Sequence, residues 1–458
     1  MKLKKLTLAN YRGFDQLDLN FADDVTVIAG VNGVGKSGVL KALTSALSLG
    51  LPKFTISRES PLGLSDTDVQ SGKPGLSMSV TLDLDTAKVT TDLTHAARLA
   101  ADKVETLTKR RDDLRFATRE TKKGSKEEQD INDEIRLIEI QLDQASGIST
   151  VRILPDDAAT DVDELVSVLK EGRQQPLAVF YTTSRFLSRL PPALPKTRKL
   201  DAATAYDKAL NQLEVSLNDF ANWYRVVASD FDAATKERLF QQLEQAIKTF
   251  LPEVRDLALH DVRPPRFSVT KSGQTLFLEQ LSDGERGLLA LVFDLTRRLA
   301  IANPDSGNPI AEGEALILID EIELHLHPSW QRRVLRLLQS TFTRCQFVVS
   351  THSPQVIGQV KPEKLRLLHH EESGKIVVAN ASQSFGMDSS WILQNIMGVP
   401  ARDYETEQRL SAIYRAIDED RLEEARTLAE QLRADIGDFP DLQESLALLD
   451  RFTLLRSE

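Results

Sequence analysis

Apolar residues are spaced in three ways along this chain, and each spacing predicts a different element. At the start they follow a strand-like alternation: Leu3, Leu6 and Leu8 recur first, and then Leu17, Leu19 and Phe21 take one face while Asp18 and Asn20 take the other. Residues 2–29 therefore read as two or three strands. Four pentads are almost continuously apolar, namely Val25–Ala29, Leu177–Tyr181, Ala315–Ile319 and residues 346–350. Short runs of that kind are strands buried on both faces. Elsewhere the spacing is helical. Val39, Leu40, Leu43, Ala46 and Leu47 mark a helix over residues 36–47. A longer helical stripe, Leu93, Ala97, Ala100, Val104, Leu107, Arg111 and Leu114, steps by four and three, and Ile131, Ile135, Ile138, Leu142 and Ala145 repeat the pattern. With Lys123-Gly124-Ser125 between them, the two stripes predict an antiparallel helical hairpin. At about 1.5 Å per residue its longer arm reaches roughly 40 Å. Arg111 interrupts the seam, and no Cys-x-x-Cys stands at the tip to hold zinc.

Further along, residues 203–249 read as helices, with Trp223, Tyr224, Phe231 and Phe240 as core candidates. Residues 267–278 alternate around Lys271-Ser272-Gly273-Gln274, which is a hairpin pattern. Ser282 followed three residues later by Glu285 is a capping box that opens a helix through Leu299. A capping box does not explain Gly284, which weakens a helix start unless something approaches closely. From Asp388 onward the apolar stripes of Ile392, Ile396, Leu410, Ile413, Ile417, Leu422, Ala425, Leu428 and Leu432 predict amphipathic helices suited to packing or partner docking.

The turn between the Val25–Ala29 strand and the helix after it carries chemistry. Residues 30–37 read Gly-Val-Asn-Gly-Val-Gly-Lys-Ser, matching G-x-x-x-x-G-K-[ST] without a mismatch. Strand, glycine-rich turn and helix is the arrangement that cradles phosphates on backbone N–H groups and on the positive end of a helix. Gly30, Asn32, Gly33, Gly35, Lys36, Ser37 and Gly38 form the expected nucleotide cradle. In it Lys36 reaches the β- and γ-phosphates and Ser37 ligates Mg²⁺. The Ala315–Ile319 strand ends in Asp320-Glu321, a Walker B pattern. Asp320 is expected to hold the Mg²⁺ through water, and Glu321 to orient and polarise the attacking water. The strand over residues 346–350 runs into Thr351-His352-Ser353, where a histidine can donate to a γ-phosphate. Arg12, in the turn Asn10-Tyr11-Arg12-Gly13-Phe14, reads equally as a nucleotide contact or as a solvated turn arginine. His325 and His327 are two apart with no third ligand in view, which disfavours a metal site.

The chain has 458 residues, room for two or three domains or for one large domain with insertions. Its hydrophobic fraction of 41% suits a protein with a real core. No run of 18 apolar residues and no apolar leader core occurs, so neither a membrane span nor a signal peptide is expected. A single cysteine, Cys345, lies in an apolar run, which predicts a core thiol and, by default, a cytoplasmic location. The net charge of −11 argues against a protein that coats DNA throughout, but it leaves room for a local basic groove. The candidate is the loop with Arg185, Arg189, Lys196, Arg198 and Lys199, which has no acidic residue from 182 to 200 and can touch phosphates or simply be solvated.

Taken in order, residues 10–14, 30–37, 281–285, 315–321, 323–328 and 351–353 resemble the ABC-type ATPases of the RecF, Rad50 and SMC group across most of residues 1–370. The resemblance implies an α/β fold: a P-loop NTPase of the ABC-ATPase head type, with a mixed sheet, a short coiled-coil insertion and a helical C-terminal extension. On that reading the first part of head lobe I is 1–92, the hairpin 93–147, the continued head 148–200, a helical subdomain 201–258, lobe II 259–383 and the helical C-terminal region 384–458. The resemblance also implies ATP sandwiched between two heads of a homo-oligomer. Ser282 and Gly284 of one subunit would close on the nucleotide of the other. Glu321 would be the catalytic base, His352 the switch histidine and Arg12 a nucleotide contact. Asp283 stands where transporters carry glycine, and no Q-loop glutamine is identifiable after Tyr181.

Residues 384–391, 397–399 and the 422–432 helix look like the tail of stand-alone ATPases from bacterial defence islands, closest to the Septu-type family (PtuA) that also accompanies retrons. Overcoming-lysogenization-defect nucleases share the head but add a Toprim domain, for which too little chain follows His352. The resemblance therefore implies an ATPase that regulates a partner nuclease of HNH type (PtuB-like), with DNA or retron nucleic acid as a further partner. A RecF-like DNA repair ATPase and a nucleotide-stabilised scaffold with little turnover are the alternatives.

Overall fold

The computed structural model of the chain describes residues 1–58, 60–84, 88–96, 101–120, 126, 131–136, 138, 149–155, 166–167, 170, 176–400 and 402–457. Two compact units are present, Met1–Gly386 and Met387–Glu458.

The first unit is organised around a six-stranded sheet. From edge to edge its strands are Ile376–Ala379, Leu365–His370, Val25–Ala29, Gln346–Thr351, Ala315–Ile319 and Leu177–Tyr181. The last five run parallel, and Ile376–Ala379 is the antiparallel edge, so the sheet is mixed. Every residue of Val25–Ala29, Leu177–Tyr181, Ala315–Ile319 and Gln346–Thr351 is buried. That explains why these segments read as unbroken apolar runs: both faces of the sheet are covered, so no strand needs a polar side.

The helix Lys36–Phe54 is apolar nearly all round because it is covered on two sides. Leu40, Leu43, Leu47 and Leu51 share one core with Ile28, Leu316 and Val348 of the central sheet and with Leu6, Leu8, Leu76 and Met78 of a second, antiparallel sheet. That second sheet has five strands in the order Phe14–Asn20, Lys2–Tyr11, Gly75–Asp83, Lys88–Ala96 and Ser149–Pro155. Leu3 and Leu6 are both fully buried although they are three apart, because the pairing slips between Leu3 and Lys5. The buried amide of Gln346 ties the two sheets together: it accepts from Leu3 N at 2.6 Å and donates to Leu3 O at 2.9 Å and Ala22 O at 2.7 Å.

The helical stripe over residues 93–114 needs correcting at its start. Leu93 belongs to the strand Lys88–Ala96, paired with Val151, and the described helix is Ala101–Glu120. A β-strand presents alternate residues to the core, so a single buried leucine at its middle fits a 4-3 count by coincidence. Beyond that point Leu114 packs on Ile135 and Ile138, with Leu107 and Ile131 beside them, and Arg110 reaches Glu134 at 3.0 Å. Arg111 turns aside to Asp112 at 2.8 Å. Ala97, Ala100, Leu142, Ala145 and the 123–125 turn lie outside the described residues.

Further core of the first unit comes from the helices Leu217–Asp230, Ala233–Phe250 and Asp283–Ala302 and from a three-stranded antiparallel sheet of Gln274–Phe277, Arg266–Lys271 and Val254–His260, the first two strands forming the expected hairpin. Phe220 stacks on Phe293 with centroids 4.2 Å apart, next to Trp223, which is 1% exposed. Phe240 packs against the Tyr224 ring at 4.6 Å. Phe231 is not core: it is 39% exposed, because it caps the end of the first of these helices, where the chain turns outward. Cys345 is buried, and loss of water pushes its thiol up to about 12, so it behaves as a small apolar residue.

The second unit is four helices, Ser389–Asn395, Tyr404–Asp418, Leu422–Ile436 and Pro440–Ser457. Leu410, Ile413, Ile417, Ala425, Leu432, Leu442 and Leu449 form its core, as the apolar stripe requires. No described helix of either unit is long and apolar enough to cross a membrane.

Candidate functional site

Parallel register brings the sequence motifs to one edge. Ala29 pairs with Thr351, and Ile319 with Val349, so Gly30, Asp320 and His352 all leave the sheet at its carboxyl end. Ligands of open parallel sheets sit outside that edge.

The loop at residues 30–37 is exposed at Val31, Asn32 and Gly33 and closes onto the helix at Gly35. Gly30, Gly33 and Gly35 have φ of 153°, 84° and 96°. Gly35 is obligatory for a second reason: a Cβ there would lie 2.6 Å from the Phe14 ring. Lys36, 7% exposed, donates to Gly30 O at 2.8 Å and Val31 O at 3.0 Å, so its ammonium spans the mouth of the loop. Burial pulls Lys36 below its ordinary value, against the opposing pull of Glu323, Glu321 and Asp320.

Ser37 Oγ donates to Asp320 Oδ1 at 3.0 Å, joining residues 283 apart in sequence. The same carboxylate oxygen accepts from Ser350 Oγ at 2.5 Å. A hydroxyl and a carboxylate side by side, at the end of a phosphate cradle, fit Mg²⁺, which takes few protein oxygens and keeps several waters. Glu321 comes next, at φ 46°, a left-handed conformation rare for glutamate. Its amide donates to Ser350 Oγ at 2.8 Å, and no described residue hydrogen-bonds its carboxylate.

His352 sits on the neighbouring strand end with 41% of its side chain exposed. Glu323, 5% exposed, accepts from His352 N at 2.6 Å, and His352 Nδ1 lies 3.1 Å from the same oxygen but off the hydrogen-bonding direction. The other oxygen of Glu323 is buried without a partner. Arg12 lies beside the start of the helix Lys36–Phe54, where a Cβ on Gly38 would be 3.9 Å from its Cδ. It is held there by Asp68, through Nε at 3.0 Å and Nη2 at 2.8 Å. The ion pair gives it a partner that no sequence spacing announces.

Arg185 requires a correction. Grouped by charge with Arg189, Lys196, Arg198 and Lys199, it is instead 7% exposed and buried under the Walker B turn. Nη1 donates to Asp320 O at 2.7 Å, and Nη2 to Glu321 O at 2.7 Å and Ile322 O at 3.2 Å. A side chain committed to carbonyls beneath a turn is not a phosphate contact. The other four are partly or fully exposed.

Ser282 caps the helix Asp283–Ala302 in a full capping box: Ser282 N donates to Glu285 Oε2 at 3.0 Å, and Glu285 N donates to Ser282 Oγ at 3.4 Å. Lys271 closes on the same glutamate at 2.6 Å. These residues and Trp330 and Arg333 line an open cleft of about 450 Å³. The close approach that requires Gly284 is the chain's own: a Cβ there would lie 2.6 Å from His325 O and 3.1 Å from the Trp330 ring. Gly284→Val is therefore expected to lower stability by about 1–3 kcal/mol through overpacking, read as a fall in the thermal midpoint whether or not nucleotide is present. An unchanged midpoint would return Gly284 to a purely interfacial role.

A buried network links this helix to the catalytic edge. Burial would raise the Asp294 carboxyl, but Arg298 and Arg297 hold it well below the usual carboxylate range. It accepts from Tyr181 OH at 2.9 Å, and Tyr181 O accepts from Asp320 N at 2.8 Å. His325 packs on Phe186 with ring centroids 5.2 Å apart, and His327 caps a short helix through Ser329. Neither belongs to a group of three metal-ligand side chains among the described residues.

A phosphate cradle, a Ser37–Asp320 pair and a glutamate beside it, at the carboxyl edge of a mixed sheet with an antiparallel second sheet, define a P-loop NTPase of the ABC-head type. The chain belongs to the AAA domain family, whose model matches residues 5–255. A second AAA-domain model matches residues 183–358. The chain is similar to the Escherichia coli "Retron Ec83 probable ATPase", 36% identical over 208 residues, which is 45% of this chain and 37% of that one. It is also similar to the Bacillus thuringiensis "Septu protein PtuA", 25% identical over 231 residues, 48% of this chain and 58% of that one. The matched region thus spans less than two thirds of either relative. Among solved structures, the SMC head domain from Thermotoga maritima aligns with 84% of this chain and 100% of its own, at 15% identity and a TM-score of 0.42.

Proposed function

We propose that this chain binds ATP with Mg²⁺ between the heads of two copies, hydrolyses it, and through that cycle regulates a partner nuclease of HNH type in bacterial antiphage defence. The observation that carries the chemistry is the Ser37–Asp320 contact at 3.0 Å with the Glu321 carboxylate left free beside it. Ser37 and Asp320 would hold the ion, and Lys36 would hold the β- and γ-phosphates. When bound, the ion neutralises charge on the phosphates. Glu321 orients the attacking water and takes its proton. His352, steadied by Glu323, donates toward the γ-phosphate, and Ser282 closes the site from the second copy. The defence setting is supported by the similarity to the retron and Septu proteins.

The test is co-expression with the neighbouring gene product, followed by ATP turnover and mass measurement of the purified complex. Turnover lost on magnesium removal, with a nuclease in a complex that holds an even number of ATPase chains, is the expected result. No turnover would reject the hydrolase reading, and magnesium-independent turnover would reject the metal role given to Ser37 and Asp320. A fully active ATPase that purifies without any nuclease would reject the regulatory one.

A further inference from the structure

Glu321 occupies a backbone conformation that a glutamate adopts only when its surroundings hold it. At φ 46° it lies in the left-handed region, where a residue other than glycine is strained. The turn is held from two sides. On one, the strand end supplies Ser350: its Oγ accepts from Glu321 N at 2.8 Å and its carbonyl accepts from Ile322 N at 3.1 Å. On the other, three successive carbonyls, of Asp320, Glu321 and Ile322, converge on the guanidinium of Arg185. The same guanidinium also donates to Thr182 O at 3.3 Å, which anchors it to the end of the adjacent strand.

We infer that Arg185 is the positioning residue of this site, a buried guanidinium that locks the Asp320–Ile322 turn and so aims the Glu321 carboxylate. This rests on the reading of Glu321 as the group that orients water.

Three features argue for positioning rather than for contact with substrate. Arg185 is 7% exposed, so it cannot follow a ligand in and out of the site. Nη1 and Nη2 are spent on carbonyls and not on the carboxylates of Asp320 and Glu321. A planar fork can reach three carbonyls that diverge around a turn, whereas the compact ammonium of lysine cannot. The carboxylates of Glu323, Asp320 and Glu321 all act on it electrostatically. A cation beneath the turn also offsets the repulsion among those three carboxylates, which the fold brings to one place.

The test separates positioning from charge and from mere stability. In Arg185→Lys the buried charge and aliphatic stem remain and the fork is lost. Turnover of ATP should fall by about a hundredfold, the scale of a small misplacement of a catalytic group, while the dissociation constant for ATP stays within about threefold. Arg185→Ala should behave likewise, and added guanidinium ion should restore part of its turnover where methylammonium does not. In a Glu321→Gln background Arg185→Lys should change turnover by less than about twofold, because the group it aims is already gone. Full turnover in Arg185→Lys would overturn the inference, and so would a loss that multiplies with Glu321→Gln or one that parallels loss of binding. A lysine variant without a cooperative melt would do the same, since Arg185 would then be a structural staple. If wild type itself shows no turnover, the hydrolase reading fails first, and that result is distinct from each of these.

Discussion

Glu321→Gln is expected to keep ATP binding within about threefold of wild type and to lower turnover by roughly a hundredfold or more, the usual scale for losing a general base. The substitution is clean because of how this residue is held. Its backbone amide on Ser350 Oγ and its carbonyl on Arg185 do not depend on the side chain. No described residue hydrogen-bonds the carboxylate, so glutamine loses no hydrogen bond, only the charge that acts on Lys36 and Arg185. What disappears is the charge that favours proton abstraction, and the ATP-bound state should accumulate. The measurement is steady-state turnover together with nucleotide retained after gel filtration. Wild-type turnover would make Glu321 a structural carboxylate and move the search to Glu323, whose buried Oε2 has no partner.

Lys36→Ala is expected to remove ATP binding, weakening it by roughly a hundredfold or more, since a charged hydrogen bond to phosphate contributes about 1.5–3 kcal/mol and a point charge on the β/γ pair is lost with it. Lys36 Nζ rests on Gly30 O and Val31 O, so the alanine also leaves the loop carbonyls without their bridge. That second effect is local, because the helix behind the loop is packed on both sides by the two sheets. The thermal midpoint without nucleotide should therefore move little, while the shift that ATP gives wild type should vanish. Calorimetric titration decides it, and an unchanged ATP affinity would place the nucleotide elsewhere.

Much of the site is legible without coordinates because its parts are local. Residues 30–37 carry their own context, a buried strand before and a helix after, and Asp320-Glu321 closes another buried strand. A pentad that must be apolar on both faces is visible in any window of five residues. The capping box of Ser282 and Glu285 likewise spans four residues and needs no partner from afar. Where sequence reading failed, two environments shared one local pattern. Leu93 fits a helical count and a strand alternation alike, and pairing with Val151 chose the strand. Phe231 is as apolar as Phe220, yet it falls at a helix end and stays 39% exposed.

What the sequence determined by itself is therefore the chemistry available: a phosphate loop, a lysine, a hydroxyl, two carboxylates and a histidine, each at the end of a strand or the start of a helix. Only the tertiary structure decided which of them meet. Ser37 reaches Asp320 across 283 positions because the strand Gln346–Thr351 lies between their strands and sets both at one edge. Arg185 stands among basic loop residues in the chain but beneath the Walker B turn in space. Gly284 looks like a site kept open for a ligand, and it is closed by the carbonyl of His325. The physical reason is the same in each case. Backbone periodicity and turn chemistry act over a few residues, whereas burial of a charge or of a carbonyl depends on strand order, which the chain settles only when its sheets pack.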